Sequence, residues 1–253
     1  MRQRPLLLPS DPLAPFPPVH EALLEPDGLL AVGGDLEPQR LLNAYRHGIF
    51  PWFSKGQPIL WWSPDPRMLF RSDRVHLSSR FRRALRASIW EAHADTAFEQ
   101  VIDACAAAPR AGQRGTWITQ EMQTAYVELH RLGHAHSVEI FEGDRLVGGI
   151  YGIAVGRMFF GESMFSARNG GSKVALAALA RQLRAWNWPL IDAQVANDHL
   201  LSLGAETWSR ARFIRAIARL TQQPGRIGLW TQPFGRVPAS RLADVIAFDQ
   251  DGG

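Results

Sequence analysis

Apolar positions in this chain keep a helical period at first, then alternate, then return to the helical period. Pro38 to Arg46 is the first helix the pattern predicts. Pro38 suits a first helical position, Leu41, Leu42 and Tyr45 share one face, and Gly48 ends the run. Ser79 to Trp90 places Phe81, Leu85 and Ile89 at i, i+4 and i+8, with Arg80, Arg82, Arg83 and Arg86 on the remaining faces. A further helix is expected from Thr96, where T-x-x-E with Glu99 reads as a capping box and Phe98, Val101, Ile102 and Cys105 form the buried face. Another runs from about Thr119 to Leu132, lined by Met122, Ala125, Tyr126 and Leu129 and closed by Gly133.

The period then changes to two. SVEIF, a turn at Glu142-Gly143-Asp144, RLVGGIYGIAVG and RMFFGESMF read as an antiparallel meander. A helix from about Gly171 to Trp186, the strand LIDAQV and a short helix opened by Asn197 complete the pattern. This succession predicts a mixed α/β fold around an extended, mostly antiparallel sheet rather than a regular βαβ repeat. The segment after Arg241 reads as a frayed acidic tail.

His47 to Pro64, HGIFPWFSKGQPILWWSP, fits neither period. Its Gly and Pro density predicts turns, and turns lie on the surface. Yet it carries Phe50, Trp52, Phe53, Trp61 and Trp62, residues of a core or a binding site. Pro64 and Pro66 mark a domain boundary, giving a small N-terminal domain over 1–66, a second over 67–240 and a tail over 241–253.

Composition narrows the class. At 253 residues, 46% hydrophobic and 21% charged, the chain has the profile of a soluble globular protein with a sizeable core. Its one cysteine, Cys105, excludes an internal disulfide. The apolar run Leu6 to Leu8 is far short of a secretory core of roughly 7–15 residues, and nothing approaches a membrane span. A cytoplasmic protein is expected. The net charge of +4 rests almost wholly on arginine, since Lys55 and Lys173 are the only lysines. Genomic composition and phosphate contact both explain such a bias.

Several chemistries are excluded by motif. No G-x-S-x-G elbow or Walker A loop occurs, and His130, His134 and His136 lack the H-E-x-x-H spacing of a zinc site. Arg168-Asn169-Gly170-Gly171-Ser172 half-matches the R/Q-x-x-G-x-G/A pyrophosphate element of acyl-CoA N-acetyltransferases. A tight turn opening a helix explains the same glycines. Glu162 lies between Phe159-Phe160 and Met164-Phe165, in a strand expected to be buried. Asp192 and Gln194, two apart, are expected on one strand face, with Ile191, Ala193 and Val195 on the other. These three polar groups suit either a structural hydrogen-bond network or a clamp for a reacting amine. Leu176, Leu179 and Leu183 form a helical stripe that is either core or the wall of an apolar pocket.

Six blocks, LLAVGGDL (29–36), HGIFPWF (47–53), ILWWSPDPR (59–67), GTWIT (115–119), GESMFS (161–166) and LIDAQVANDHLLSLGA (190–205), closely resemble, in order, the bacterial leucyl/phenylalanyl-tRNA–protein transferases. The resemblance implies a small N-terminal domain joined to an acetyltransferase-like domain. It implies transfer of Leu or Phe, less often Met, from leucyl-tRNA or phenylalanyl-tRNA to the N-terminal Arg or Lys of a protein, which then enters the bacterial N-degron pathway. An aminoacyl ester is already activated, so no ATP, metal or other cofactor is expected. A monomer is implied.

Residue by residue, the resemblance makes Asp192 and Gln194 a relay: Gln194 engages the attacking amine, and Asp192 orients and polarises it. Glu162 matches a carboxylate near the aminoacyl group. Trp52 and Trp117 match positions near the 3′-terminal adenosine, with Tyr45 and Tyr126 as further lining. A Gly/Pro-rich loop holding Trp52 then serves as a stacking platform, worth roughly 1–3 kcal/mol per base. Trp61 and Trp62 are assigned to the interdomain core. The implied aminoacyl pocket is Ile150, Phe159, Leu176, Leu179, Leu183 and Ile191. Leu179 and Leu183 stand where the family pattern has phenylalanine, which predicts a roomier pocket. Arg80, Arg82, Arg83 and Arg86, a solvated face by pattern alone, become contacts to acceptor-stem phosphates. Two rivals remain: a true acyl-CoA acetyltransferase, and a tRNA-binding module without activity.

Overall fold

The computed structural model describes residues 4–108 and 117–243. Gly115 and Thr116 of the GTWIT block lie outside the described residues, as does the tail beyond Ala243.

The N-terminal region builds a four-stranded sheet from β1 (Leu6–Leu8), β2 (Leu29–Gly33), β3 (Phe50–Pro51) and β4 (Leu60–Trp62), ordered β1-β2-β4-β3. Helix α1 (Pro38–Arg46) lies between β2 and β3 with the predicted bounds. Phe50, Phe53 and Trp61 are buried, whereas Trp52 and Trp62 are half-buried. The aromatic stretch therefore serves both core and surface. Leu41, Tyr45 and Trp61 join the same apolar cluster as Phe98, Tyr126 and Phe160 of the second region.

The larger sheet begins with β5 (Arg67–Arg71). Helix α2 (Ser79–Arg86) follows, capped by Ser78 Oγ, which accepts from the Phe81 N–H. It stops four residues before the predicted Trp90. Glu91–Ala94 is instead strand β6, paired with the later meander, and Ile89 is left exposed. The capping box at Thr96 is not formed. Thr96 N–H and Oγ1 both donate to the buried Glu139 carboxylate, and α3 (Phe98–Ala107) starts two residues later without a side-chain cap. Satisfying a buried acid outweighs a surface cap. The predicted buried face of α3 is correct. Thr119 caps α4 (Gln120–Arg131) through its side chain.

The meander comprises β7 (Ala135–Glu142), β8 (Arg145–Val155) and β9 (Met158–Ser166). Then come α5 (Gly171–Ala185), β10 (Leu190–Gln194), α6 (Asp198–Ser202) capped by Asn197, β11 (Glu206–Trp208), α7 (Arg210–Leu220), α8 (Thr231–Phe234) and β12 (Val237–Pro238). The eight-stranded order is β11-β5-β10-β9-β8-β7-β6-β12, antiparallel except where β10 runs parallel to β9. The fold is the expected mixed α/β arrangement. Two apolar clusters form the core, one holding the α3–α4 residues and one holding α5. Among the described residues, no helix is long and apolar enough to cross a membrane.

Glycines 170 and 171 have a packing reason. A side chain on Gly171 would meet Val147 and Gly148 of β8 within 2.4–3.0 Å. Gly170 takes φ +91° beneath the Phe81 ring. The Gly171 N–H donates to Arg168 O, and the Ser172 N–H to Ser166 Oγ. These N–H groups are already satisfied, so the tight-turn reading describes the segment.

Candidate active site

Strands β9 and β10 pair only at Phe159–Phe160 against Ile191–Asp192. Beyond that point the two strands hold a polar cluster at the foot of a pocket of about 360 Å³. Ile150, Leu176, Ile191, Phe70 and Met164 supply apolar wall, Trp52 and Trp117 supply aromatic rings, and Glu162, Asp192 and Gln194 supply polar groups. A few convergent polar groups in an apolar recess are the general plan of a small-molecule site.

Gln194 reaches this position through a β-bulge. Asp192 pairs with Leu69 and Gln194 with Met68, so Ala193 is the extra residue. Gln194 adopts φ +63°, a left-handed conformation that side chains rarely take. Such strain costs on the order of 1–3 kcal/mol. Asp192 Oδ1 accepts the Gln194 N–H at 3.0 Å, and a hydrogen bond to a charged group contributes about 1.5–3 kcal/mol, enough to offset it. The expectation that Asp192 and Gln194 share one regular strand face is corrected by this bulge: their side chains go to different partners.

Asp192, which also lines the pocket, pairs through its carboxylate with Arg67. Arg67 Nε donates to Asp192 Oδ1 at 2.8 Å and Nη2 to Oδ2 at 2.6 Å, and both side chains are fully buried. Removing one partner of such a pair costs about 3–5 kcal/mol, because the other charge is stranded.

Gln194 turns to Glu162, its Nε2 donating to Oε1 at 2.8 Å. Tyr45 Oη lies 2.7 Å from Oε1, and Tyr126 Oη 3.0 Å from Oε2. The two hydroxyl oxygens are 2.5 Å apart. The Glu162 carboxyl is pushed up to about 7: burial raises it most, hydrogen bonds from Tyr45, Tyr126 and Gln194 pull part of that back, and the neighbouring Asp192 charge adds to the rise. Burial, and then the charge of Glu162, also pushes both tyrosines well above their ordinary range.

Counting protons explains the geometry. With Glu162 ionised, each tyrosine donates its one proton to the carboxylate, and none remains between the two oxygens 2.5 Å apart. With Glu162 neutral, its Oε2 donates to Tyr126, Tyr126 to Tyr45, and Tyr45 to Oε1. Every contact then has one proton. In either state Glu162 Oε1 keeps a lone pair that accepts from the Gln194 NH₂, the orientation found. The Gln194 carbonyl oxygen is left for another partner.

The predicted residues are therefore divided. Glu162, Asp192, Gln194, Ile150, Leu176, Ile191, Trp52 and Trp117 converge on the pocket. Tyr45 and Tyr126 do not line it; fully buried, they hold Glu162 from behind. Phe159, Leu179 and Leu183 are also fully buried and stand outside the lining. Trp61 is in the core, but Trp62 props Trp52, donating from Nε1 to the Trp52 carbonyl at 2.7 Å with the rings 5.8 Å apart. Arg80, Arg83 and Arg86 are exposed on α2, whereas Arg82 is half-buried. Sequence reasoning missed Arg67, Phe70, Met164, Asn197, His199 and Leu200. Arg67 closes the block ILWWSPDPR and was within reach; the others carry no motif of their own.

An apolar pocket of this size, lined by a hydrogen-bonded carboxyl–carboxamide pair and by aromatic rings, has the plan of an enzyme's substrate site. Comparison with known proteins specifies which one. The family model described as leucyl/phenylalanyl-tRNA protein transferase matches residues 69–218, and that family's N-terminal domain model matches 34–65. A leucyl/phenylalanyl-tRNA–protein transferase of Xanthomonas axonopodis pv. citri (strain 306) is 66% identical, over 96% of this chain and 98% of the relative. Its counterpart in Xanthomonas oryzae pv. oryzae (strain MAFF 311018) is 68% identical over 96% and 97%, and that of Xylella fastidiosa (strain M23) 62% over 93% and 97%. The chain belongs to the leucyl/phenylalanyl-tRNA–protein transferase family. Among solved structures, L-PGS from Bacillus licheniformis aligns at a TM-score of 0.34 with 13% identity, over 74% of this chain and 58% of that one. A GCN5-related N-acetyltransferase-like protein from Streptococcus suis 89/1591 aligns at 0.30 with 14% identity, over 65% and 61%.

Proposed function

We propose that this enzyme moves Leu or Phe, less often Met, from aminoacyl-tRNA to the N-terminal Arg or Lys of a protein. It acts as a cytoplasmic monomer and marks its products for the N-degron pathway. Residues 1–66 and 67–240 form its two domains. The observation that carries the chemistry is the 2.8 Å contact from Gln194 Nε2 to Glu162 Oε1 at the foot of the apolar pocket.

The aminoacyl side chain enters between Ile150, Leu176 and Ile191, with Phe70 and Met164 completing the wall. The 3′-adenosine rests on Trp52 and Trp117. Phe159, Leu179 and Leu183 set the pocket's shape from behind. The acceptor's α-nitrogen attacks the ester carbonyl carbon. A C–N bond forms, the C–O bond to the ribose breaks, and the proton lost by nitrogen ends on the ribose oxygen. The Gln194 carbonyl oxygen, freed by the commitment of its NH₂ to Glu162, accepts an N–H of the attacking amine and aims its lone pair. Glu162 holds that amide in place. Asp192 acts one step back, through the Gln194 backbone.

An α-amino group has an ordinary pKa of about 7.7–8.0, so a usable fraction is neutral near pH 7 without a strong base. Alignment of amine and ester supplies much of the rate. Arg80, Arg82, Arg83 and Arg86 carry the acceptor-stem phosphates.

The test uses leucyl-tRNA labelled in its leucine and two peptides differing only in an N-terminal Arg or Ala, without ATP or acetyl-CoA. Label is expected on the Arg peptide alone. Binding of leucyl-tRNA without transfer would favour the inactive binding module instead.

A further inference from the structure

Arg67 is a heavily engaged charged group of the larger sheet, and the proposed chemistry gives it no part. It begins β5 and is 1% exposed. Its guanidinium makes three bonds to two separate segments. Nε and Nη2 grip Asp192, and Nη1 donates to Gly48 O at 3.0 Å. Its plane is flanked by Phe50 at 4.8 Å and Phe213 at 4.7 Å. Such a planar, bidentate and stacked arrangement is one that lysine cannot reproduce.

The two segments carry different parts of the site. Gly48 begins the loop that delivers Trp52 to the pocket margin. It takes φ +72°, a conformation that favours glycine, and it packs against the Ile214, Ile217 and Phe213 side chains of α7. Asp192 holds the bulge that delivers Gln194. Both Asp192 oxygens are occupied, Oδ1 by Arg67 Nε and the Gln194 N–H, and Oδ2 by Arg67 Nη2. With both oxygens engaged, the carboxylate acts as a strut.

We propose that Arg67 is the positioning residue of the transfer reaction, setting the Trp52 loop and the Gln194 bulge in register through one guanidinium, with Asp192 as its intermediary rather than as a base. The inference rests on the reading of Gln194 as the group that meets the attacking amine. A shift of an ångström between adenosine platform and amide would misalign ester and amine without emptying either binding surface.

The test measures single-turnover transfer from leucyl-tRNA to an Arg-initiated peptide, together with the leucyl-tRNA Kd and the melting temperature, for the full chain. Arg67→Lys keeps the charge and loses the fork. Its transfer rate is expected to fall about a hundredfold, the scale of a 1 Å misplacement, with the Kd unchanged. In Arg67→Ala, millimolar guanidinium is expected to refill the slot between Phe50 and Phe213 and restore the rate, while methylammonium does not. Arg67→Lys transferring at the full rate would overturn the inference. So would a loss that follows the Kd or the melting temperature and ignores guanidinium, or an Arg67→Lys chain that does not fold. If only Arg67→Ala fails to fold, Arg67→Lys decides alone. Absence of transfer by the unaltered chain contradicts the proposed function, whereas a full rate in Arg67→Lys contradicts this inference only.

Discussion

Gln194 Nε2 donates to Glu162 Oε1 across 2.8 Å, joining two strands that have already stopped pairing. This hydrogen bond fixes which end of the Gln194 amide meets the pocket. It also makes the protonation state of Glu162 consequential.

Glu162→Gln imitates the neutral carboxyl. Its NH₂ can donate to Tyr126 and its carbonyl can accept from Tyr45 and Gln194, so the ring of hydrogen bonds survives. Transfer is expected to stay within about tenfold of the unaltered enzyme, while Glu162→Ala loses about 10² or more, as for other groups that position reactants. Single-turnover rates for the pair check this. An inactive Glu162→Gln with intact leucyl-tRNA binding would show that the ionised carboxylate itself is required.

The same residue ties stability to pH. Glu162 has a folded pKa of about 7, above the 4.5 of an unperturbed glutamate. Between those values the unfolded chain releases a proton that the folded chain keeps, so stability is lost as pH rises from about 4.5 to 7 and levels off above. That displacement corresponds to roughly 3 kcal/mol as an upper bound. Glu162→Gln should lack this contribution. Its advantage over the unaltered protein in denaturant midpoint should therefore grow from pH 5 to pH 7.5; a constant difference would show that the carboxyl is ionised throughout.

Tyr126→Phe deletes one link of the proton ring and leaves a buried carboxyl hydrogen without an acceptor. A loss of about 1–3 kcal/mol is expected in urea unfolding near pH 6. An unchanged midpoint would argue that Tyr126 does not share the proton.

How much of this could be read along the chain depends on the range of the interaction. Pro38, the stripe Leu41–Tyr45 and Gly48 define α1 locally, and the side chains of Thr119 and Asn197 cap the helices they open. The strand β6 was hidden because Glu91-Ala92-His93-Ala94 has little strand character until it pairs with β7. Thr96 looks like a cap until Glu139, 43 positions away, takes its hydroxyl. In the site, the pocket-facing polar residues were legible as polar groups in apolar strands. Their division of labour was not. A period of two puts Asp192 and Gln194 side by side, and only the bulge separates them. Arg67 lies 125 positions from its partner, and no local pattern announces that pairing.

Arginines on α2 give a salt-dependent prediction. Arg80 and Arg83 are both exposed and lie one turn apart. Replacing both with Ala should weaken leucyl-tRNA binding and reduce the slope of log K against log salt by about 0.7 to 0.9 for each phosphate no longer neutralised. Titration of binding at several salt concentrations reads this directly, and an unchanged slope would return that helix face to solvent.

The most direct measurement compares Gln194→Ala with the unaltered enzyme in two assays: single-turnover transfer from leucyl-tRNA to an Arg-initiated peptide, and equilibrium binding of leucyl-tRNA. If the Gln194 carbonyl aims the attacking amine, transfer falls by about 10² or more while the Kd stays close to its original value. Equal losses in transfer and binding would contradict that role and make Gln194 a residue of the tRNA-binding surface.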